Sequence, residues 1–445
     1  MYNPGTLSWI EHWGAWTRVG RVADISRKTI WVAVGLYAFF LPWGVTGAHI
    51  ALGIGVLAWL GRAIAERRAR WVGWPVGSPV LLFVTLFLVA CIVGWKLDES
   101  VRELVSLRTL LVIFLVATNL RDLEGLKRLA LLLVATLALF SLYAVGARLV
   151  MVAEQRVLHV PLVVSHERVE RLAREGHLEG EGFWLPDLGS MSEAGQLAMG
   201  LPIALALLLA CRDKRLRVGL LVALVLIVAN LILNMKRGAW AACLGALVVF
   251  VLVERRWLVL GALVALVAAM IIIPASRARV VAAVAGEDGE RLELWACVPR
   301  VVARWPLGVG PGCSYHVIQS TKEPNLLVPR ELYLKMPDKV HFHNTIAELA
   351  VTAGPMTVAA FLWWFGAFGV WAVRRLQRME RDAPARPIVV GALAAATAFF
   401  INGLFEFNLG DSDVTMMVYL AMGLAMAAVP TRSCEHDEKA HATGI

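Results

Sequence analysis

The chain has 445 residues, of which 59% are hydrophobic and only 17% charged, with a mean hydropathy of +0.67. That apolar share lies far above a soluble domain's and excludes a soluble globular fold. The formal net charge of +9 is spread over short segments between apolar runs, so no soluble basic domain exists to make nucleic acid a partner.

Apolar runs of about 20 residues recur along the chain, each long enough to cross a bilayer as a helix. In order they predict spans at 29–45, 47–62, 77–95, 104–119, 127–150, 194–211, 217–233, 238–253, 257–274, 345–372, 388–405 and 412–429. The expected fold is an all-α polytopic membrane protein with about twelve transmembrane helices. The least regular span is 104–119, which carries Arg108 near its start. The first run is read as a retained helix and not as a signal peptide. It begins late, lacks a clear small-residue cleavage site and is followed directly by another run.

Basic residues set the orientation. With the N-terminus inside, the cytoplasmic pieces carry Arg18, Arg21, Arg27 and Lys28, then Arg62, Arg67, Arg68 and Arg70. Later ones carry Arg121, Lys127 and Arg128, then Arg212, Lys214, Arg215 and Arg217, then Arg255 and Arg256, and finally Arg374, Arg375, Arg378, Arg381 and Arg386. The short outer loops hold only Lys96, Arg102, Lys236 and Arg237. This positive-inside pattern puts both termini in the cytoplasm. Four regions follow: residues 1–274 with nine spans, 275–344 as a large outer segment, 345–429 with three more spans, and 430–445 as a cytoplasmic tail.

Two outer segments are too long to be turns. The first, near 151–193, has mixed charge around His166–His177 and reads as an exposed helix followed by a loop. The second, 275–344, is the expected seat of chemistry, because long loops on a rigid scaffold carry function. Its part 289–304 has helical spacing, with Leu292, Trp295, Val298 and Val302 on one side. Pro299 interrupts that pattern and Pro306 ends it. A helix along the membrane surface is expected there. Cys297 and Cys313 share this segment, and their compartment is compatible with a disulfide.

Three positions on the outer side carry candidate chemistry. Arg237 lies in Asn234-Met235-Lys236-Arg237-Gly238-Ala239-Trp240 at a span end, and Arg291 opens Arg291-Leu292-Glu293-Leu294-Trp295. An arginine fork suits phosphate oxygens. The plainer readings are an interfacial anchor for Arg237 and a surface charge paired with Glu287 or Glu290 for Arg291. His343 stands where a helix begins, with either Thr345 and Glu348 as a capping box or Asn344 as the cap. The helix field there favours a neutral imidazole, a base near neutral pH, although the ring could also be only an interfacial hydrogen-bonding group. His341 is the competing base. In an extended stretch the two rings point oppositely, so only one should face a shared site. Lys236 is a secondary cation beside Arg237.

Two further motifs are weak. Gly308-Val309-Gly310-Pro311-Gly312 lacks the strand and the Lys-Ser/Thr of a nucleotide loop and reads as a tight turn. Asp411-Ser412-Asp413 offers two carboxylates, a poor divalent site, and reads as a solvated loop or helix cap. No metal and no cofactor are expected.

Taken in order, Lys236-Arg237-Gly238-Ala239-Trp240, Arg291 to Trp295 leading into Trp305–Gly312, and His343-Asn344-Thr345 resemble the O-antigen ligase and polymerase superfamily. The resemblance implies a GT-C-like membrane glycosyltransferase whose large loop is periplasmic and whose membrane is the bacterial inner membrane. It implies a glycan on undecaprenyl diphosphate as donor and, in the ligase branch, a sugar hydroxyl of lipid A–core as acceptor. His343 matches the family's histidine, and Arg237 and Arg291 match its arginines. A polymerase or a protein O-oligosaccharyltransferase would share the donor. A lipid-linked glycan transporter is the more distant rival, but it would place charges at the midplane of broken helices.

Overall fold

The computed structural model describes residues 5–67, 75–158, 190–254, 289–318 and 341–429, with scattered positions in 259–281 and at 328–329; side chains are described from Gly20 on in the first helix and up to Leu149 before the first outer segment. Among the described residues the chain is all-helical, with no strand. The helices are α1 (Gly5–Phe40), α2 (Val45–Ala65), α3 (Gly77–Val93), α4 (Leu97–Leu104), α5 (Leu111–Asn119) and α6 (Leu123–Leu158). They continue as α7 (Met191–Ala210), α8 (Lys214–Asn234) and α9 (Arg237–Glu254). The short α10 (Gly289–Ala296), α11 (Val298–Arg304) and α12 (Ser314–Ile318) follow, then α13 (Thr345–Arg378), α14 (Arg386–Asn402) and α15 (Ser412–Ala428).

Six of these are long and apolar enough to cross a membrane: α2, the Leu123–Leu149 part of α6, α7, α8, α9 and α13. The apolar helices α3, α14 and α15 are shorter. The expected spans at 47–62, 77–95, 127–150, 194–211, 217–233, 238–253, 345–372, 388–405 and 412–429 therefore each coincide with an apolar helix. The first helix stops at Phe40, before the turn at Leu41-Pro42-Trp43, rather than at residue 45. Most of 257–274, the middle of 151–193 and the tail from 430 lie outside the described residues.

One expected span is not continuous. Residues 104–119 divide into the end of α4, a 3-10 turn at Val105–Leu110 and the nine-residue α5. The hydroxyls of Ser106 and Thr109 donate to the carbonyls of Glu103 and Ser106, at 2.6 and 2.7 Å. Such back-bonding competes with the regular helical ladder.

The Ala-rich α14 is buried along most of its length. It packs against α7, α9, α13 and α15, as small side chains allow closely approaching membrane helices to do.

The decisive local feature is a break in α13. Gly354 has φ +80° inside the helix and is followed by Pro355. Pro355 has no N–H to offer the carbonyl of Val351, so that carbonyl is orphaned. It is taken by the backbone N–H of Val309 at 2.9 Å, and the next carbonyl, Thr352, accepts from Gly310 N at 2.9 Å. The glycine-rich segment is thus a strap laid across the break, with φ of +86°, +106° and +79° at Gly308, Gly310 and Gly312. Its outer side is held in turn by Trp95 N, which donates to Val309 O at 2.7 Å. The expected tight turn is present, and its partner is the broken helix.

The strap belongs to a small second core formed by Leu294, Cys297, Val301, Val309, Cys313, Val317, Phe342 and Val351. Here the expected helix at 289–304 needs correction. It splits at Cys297, because Pro299 is accommodated in the first turn of a new helix, α11. The buried face is Leu294, Cys297 and Val301, whereas Leu292 is exposed. That face is set by α11 packing on α13. Cys297 and Cys313 are both free thiols, buried in this core with separate partners, Glu293 O and the Ser100–Lys96 turn. No bridge joins them.

A methyl group at Gly308 would meet Thr352 O at 2.3 Å, whereas one at Gly219 on α8 would meet nothing within 4 Å. Gly308→Ala should therefore lower stability by at least about 1–2 kcal/mol, from the left-handed backbone alone, while Gly219→Ala should be neutral or slightly stabilising. Melting curves of the two purified variants in detergent check this, and equal melting points would contradict it.

Candidate functional site

Asn344 decides how the site is built. Its side-chain oxygen accepts from Ile346 N at 2.8 Å and Ala347 N at 3.0 Å, so Asn344 is the cap of α13 and no Thr345–Glu348 capping box forms. Glu348, one turn in and buried, instead accepts from Phe342 N at 2.9 Å. That bond pulls the chain just before the cap down onto the helix.

A second loop, between α14 and α15, is stitched to this one. Thr345 N donates to Gly403 O at 2.7 Å, and Asn344 Nδ2 donates to Leu404 O at 3.0 Å. Thr345 Oγ1 donates to Glu406 O and accepts from Asn408 N, both at 3.0 Å. Asn408 in turn donates to Phe399 O at 2.7 Å. These bonds fix residue 406 beside residue 343.

The result is a compact triad. His343 Nδ1 lies 3.0 Å from Glu406 Oε1, and His341 Nε2 lies 3.6 Å from the same oxygen. The two rings are 4.1 Å apart between centroids. The expectation that they point oppositely is thus overturned. His343 has φ +48°, a left-handed backbone that breaks the alternation of an extended strand. Strain of this kind collects at functional sites.

The hydrogen bonds also assign the ring protons. His341 Nδ1 accepts the backbone N–H of His343 at 3.2 Å, so a neutral His341 carries its proton on Nε2, facing Glu406. Glu406 accepts on Oε1 from His343, which places the His343 proton on Nδ1. His343 Nε2 is then a lone pair, and it is buried without a hydrogen-bond partner. Burial pushes the Glu406 carboxyl up, but the His343 hydrogen bond, with the positive charge that His343 and His341 carry when protonated, outweighs it and holds the pKa below its ordinary value.

His341, His343 and Glu406 line a cavity of about 850 Å³ together with Arg291, Glu103, Glu348 and Asp411. Arg291 Nη1 donates to Phe405 O at 3.0 Å, which ties α10 to the same loop that carries Glu406. The expected pairing of Arg291 with Glu287 or Glu290 is not how this side chain is held. Arg237 begins α9. The next residue, Gly238, is so close to the Phe405 side chain that an added methyl would lie 2.9 Å from its Cβ. The backbone at Arg237 therefore abuts this loop, but neither Arg237 nor Lys236 is among the cavity-lining residues.

Of the two readings of the Asp411-Ser412-Asp413 motif, the helix cap holds and the solvated loop does not: Asp411 is the N-cap residue of α15. The motif is half-buried in the cavity wall, and Asp411 accepts a hydrogen bond from Ser192. Burial pushes the Asp411 carboxyl up, against the Ser192 hydrogen bond, and burial pushes Glu103 up as well. Among the described residues the group spaced to hold a metal ion is His341, His343 and Glu406, whose ligand atoms lie within 4.8 Å of one another. Glu406 is the residue that the sequence reading missed. It lies 63 positions from His343, in Phe405-Glu406-Phe407, and only its being an acid flanked by aromatics after an apolar run could have marked it.

Residues 222–362 match a family model described as O-antigen ligase. The matched segment holds Arg237, Arg291, His341, His343 and the glycine strap, whereas Glu406 lies beyond it. No curated protein matches the chain.

Because the Glu406 pKa is lowered, the stability that its charge contributes is present above the ordinary value of 4.5 and is lost as the pH falls through the folded value. Glu406→Gln should therefore melt lower than wild type at pH 7, and the gap should close as the pH is taken below the folded value. Melting curves over that pH range test it, and a gap independent of pH would assign the effect to shape rather than charge.

Proposed function

We propose that this chain, a member of the O-antigen ligase and polymerase superfamily, is a ligase with His343 as general base. It moves O-antigen polysaccharide from undecaprenyl diphosphate to a sugar hydroxyl of lipid A–core, at the periplasmic face of the inner membrane. The observation that carries the reading is the buried, partnerless Nε2 of His343, whose other nitrogen is held by Glu406. A base needs a lone pair near the proton it takes and a ring held in one orientation, and this ring has both.

The steps follow from those atoms. His343 Nε2 takes the proton of the acceptor hydroxyl as that oxygen attacks the anomeric carbon. The bond from that carbon to the diphosphate oxygen breaks, and the diphosphate leaves with the electron pair. It is a good leaving group and needs charge stabilisation more than an acid. Arg291, at the cavity, and Arg237, at the loop beside it, supply that stabilisation. One direct displacement inverts the anomeric configuration. The carboxylates of the wall suit hydrogen bonds from sugar hydroxyls. His341 serves as a neighbour of the triad rather than as the base, because its Nδ1 is already occupied by a backbone N–H.

His343→Ala should lose transfer by about 10²–10⁴-fold, while His341→Ala keeps a measurable fraction of the rate. Purified protein with a lipid-linked glycan and rough lipopolysaccharide reads this out. Near-normal transfer by His343→Ala with an inactive His341→Ala would move the role to His341. Addition to further O-antigen units in place of lipid A–core would make the chain a polymerase.

Arg→Lys at position 237 or 291 keeps the charge but loses the fork, and each should impair turnover. Full activity in Arg291→Ala would remove that residue from the site. The reaction is expected to survive EDTA, and Asp411→Asn with Asp413→Asn should retain most turnover. Loss with EDTA and recovery with Mg²⁺ or Mn²⁺ would overturn the account and make His341, His343 and Glu406 ligands.

A further inference from the structure

The cavity that holds His343 has an apolar end as well as a polar one. Val45 of α2, Phe83 and Phe87 of α3 and Leu107 of the 3-10 turn form it. No substantial packing joins α2 to α3. Both turn apolar side chains outward, Ile50 and Ile54 from α2 and Leu81 and Leu88 from α3, as helices facing lipid do.

Arg108 lies in the same 3-10 turn as Leu107. It lies between Leu107 and Thr109, both of which line the cavity, and its own side chain is exposed on the outside. Its Nη2 donates to His49 Nδ1 of α2 at 2.9 Å. Among the described residues it meets no carboxylate, unlike Arg27, Arg62, Arg102, Arg148 and Arg386, each of which has an acidic partner. An arginine that only snorkels to the interface needs no fixed partner. This one is held by an imidazole from a different helix, between two residues that line the cavity, and among the described residues no carboxylate neutralises it. An arginine near a span end with no acidic partner is a candidate for an anionic ligand.

We propose that Arg108, oriented by His49, binds the diphosphate of a polyprenyl diphosphate as that lipid enters the cavity sideways between α2 and α3. The identity of the lipid rests on the transferase reading above, and the site rests on the geometry. The planar guanidinium takes two phosphate oxygens at once. The gap between α2 and α3 takes the first isoprene units, and the diphosphate then passes along the cavity toward Arg291 and His343. Arg108 is a binding and positioning residue, since it does not reach the triad. The expected consequence is a donor-specific effect on binding, with chemistry at saturation preserved.

The test uses the full chain purified into phosphatidylcholine nanodiscs, with undecaprenyl diphosphate lacking any sugar as the probe and native mass spectrometry as the readout. Arg108→Ala should weaken binding about tenfold, the scale of one charge-assisted hydrogen bond. Arg108→Lys and His49→Ala should weaken it less. In transfer assays the donor KM should rise about as much, with kcat and the acceptor KM nearly unchanged, since binding is lost and not transition-state contact. Equal binding by wild type and Arg108→Ala overturns the proposal. So does equal competition by phosphatidylglycerol, which would make the site a general anionic-lipid contact. A kcat collapse at unchanged donor KM overturns it too. Unchanged melting points confirm that the variants fold. If wild type binds the probe and Arg108→Ala does not, yet neither transfers a glycan, the transferase reading fails and this inference stands.

Discussion

A missing N–H at Pro355 organises the outer half of this protein. The carbonyl it leaves unpaired at Val351, and the next one, Thr352, at the Gly354 break, are buried, and a buried carbonyl without a donor costs about 1–3 kcal/mol. The chain meets that cost with Val309 and Gly310, which come from a segment forty residues earlier in the sequence. The glycines of 308–312 exist because side chains there would strike Thr352 or the Gly94 turn. The glycine strap is therefore fastened to α13 through backbone hydrogen bonds, a contact that depends on glycine at 308.

The triad depends on that fastening. The short first part of α13 is packed beneath Phe342, Leu294 and Val301, and its cap carries His343. The 403–408 loop is then clamped to the same cap through Thr345 and Asn344. Two loops that are remote in sequence thus meet through one backbone hydrogen bond and through the side chains of Asn344 and Thr345. Glu406 can share one oxygen between two imidazoles because neither loop is free to separate. The same clamp explains how Arg291 and Gly238 reach one short stretch, Asn402–Phe405, from two different helices.

Much of the helical layout was legible in the apolar runs, because bilayer length and composition fix where a helix can run. The helix start at His343 was legible too, since Asn344 followed by an apolar run is a cap signal. Other features depend on partners that sequence spacing does not show. The left-handed φ at His343 turned two opposed rings into neighbours, and no local rule marks a histidine for that conformation. The break at 105–110, where Ser106 and Thr109 bond back to carbonyls three residues earlier, lies inside a run that is apolar enough to look continuous. The interruption of 289–304 at Pro299 was legible, but its buried face was misread, because the two short helices bury Leu294, Cys297 and Val301. Glu406 was missed because its meaning lies wholly in a partner 63 residues away.

The division of α13 at Gly354 also bears on how the enzyme meets bilayers of different thickness. A long helix answers hydrophobic mismatch by tilting, and a rigid one would carry its ends with it. Here only the part beyond Pro355 is continuous with the membrane-crossing length, while Thr345–Ala353 is welded to the outer segment. The lower part can lean as the lipid thins or thickens without dragging the Asn344 cap and the histidine beside it. The joint therefore insulates the chemistry from the mechanics of the membrane that supplies its lipid.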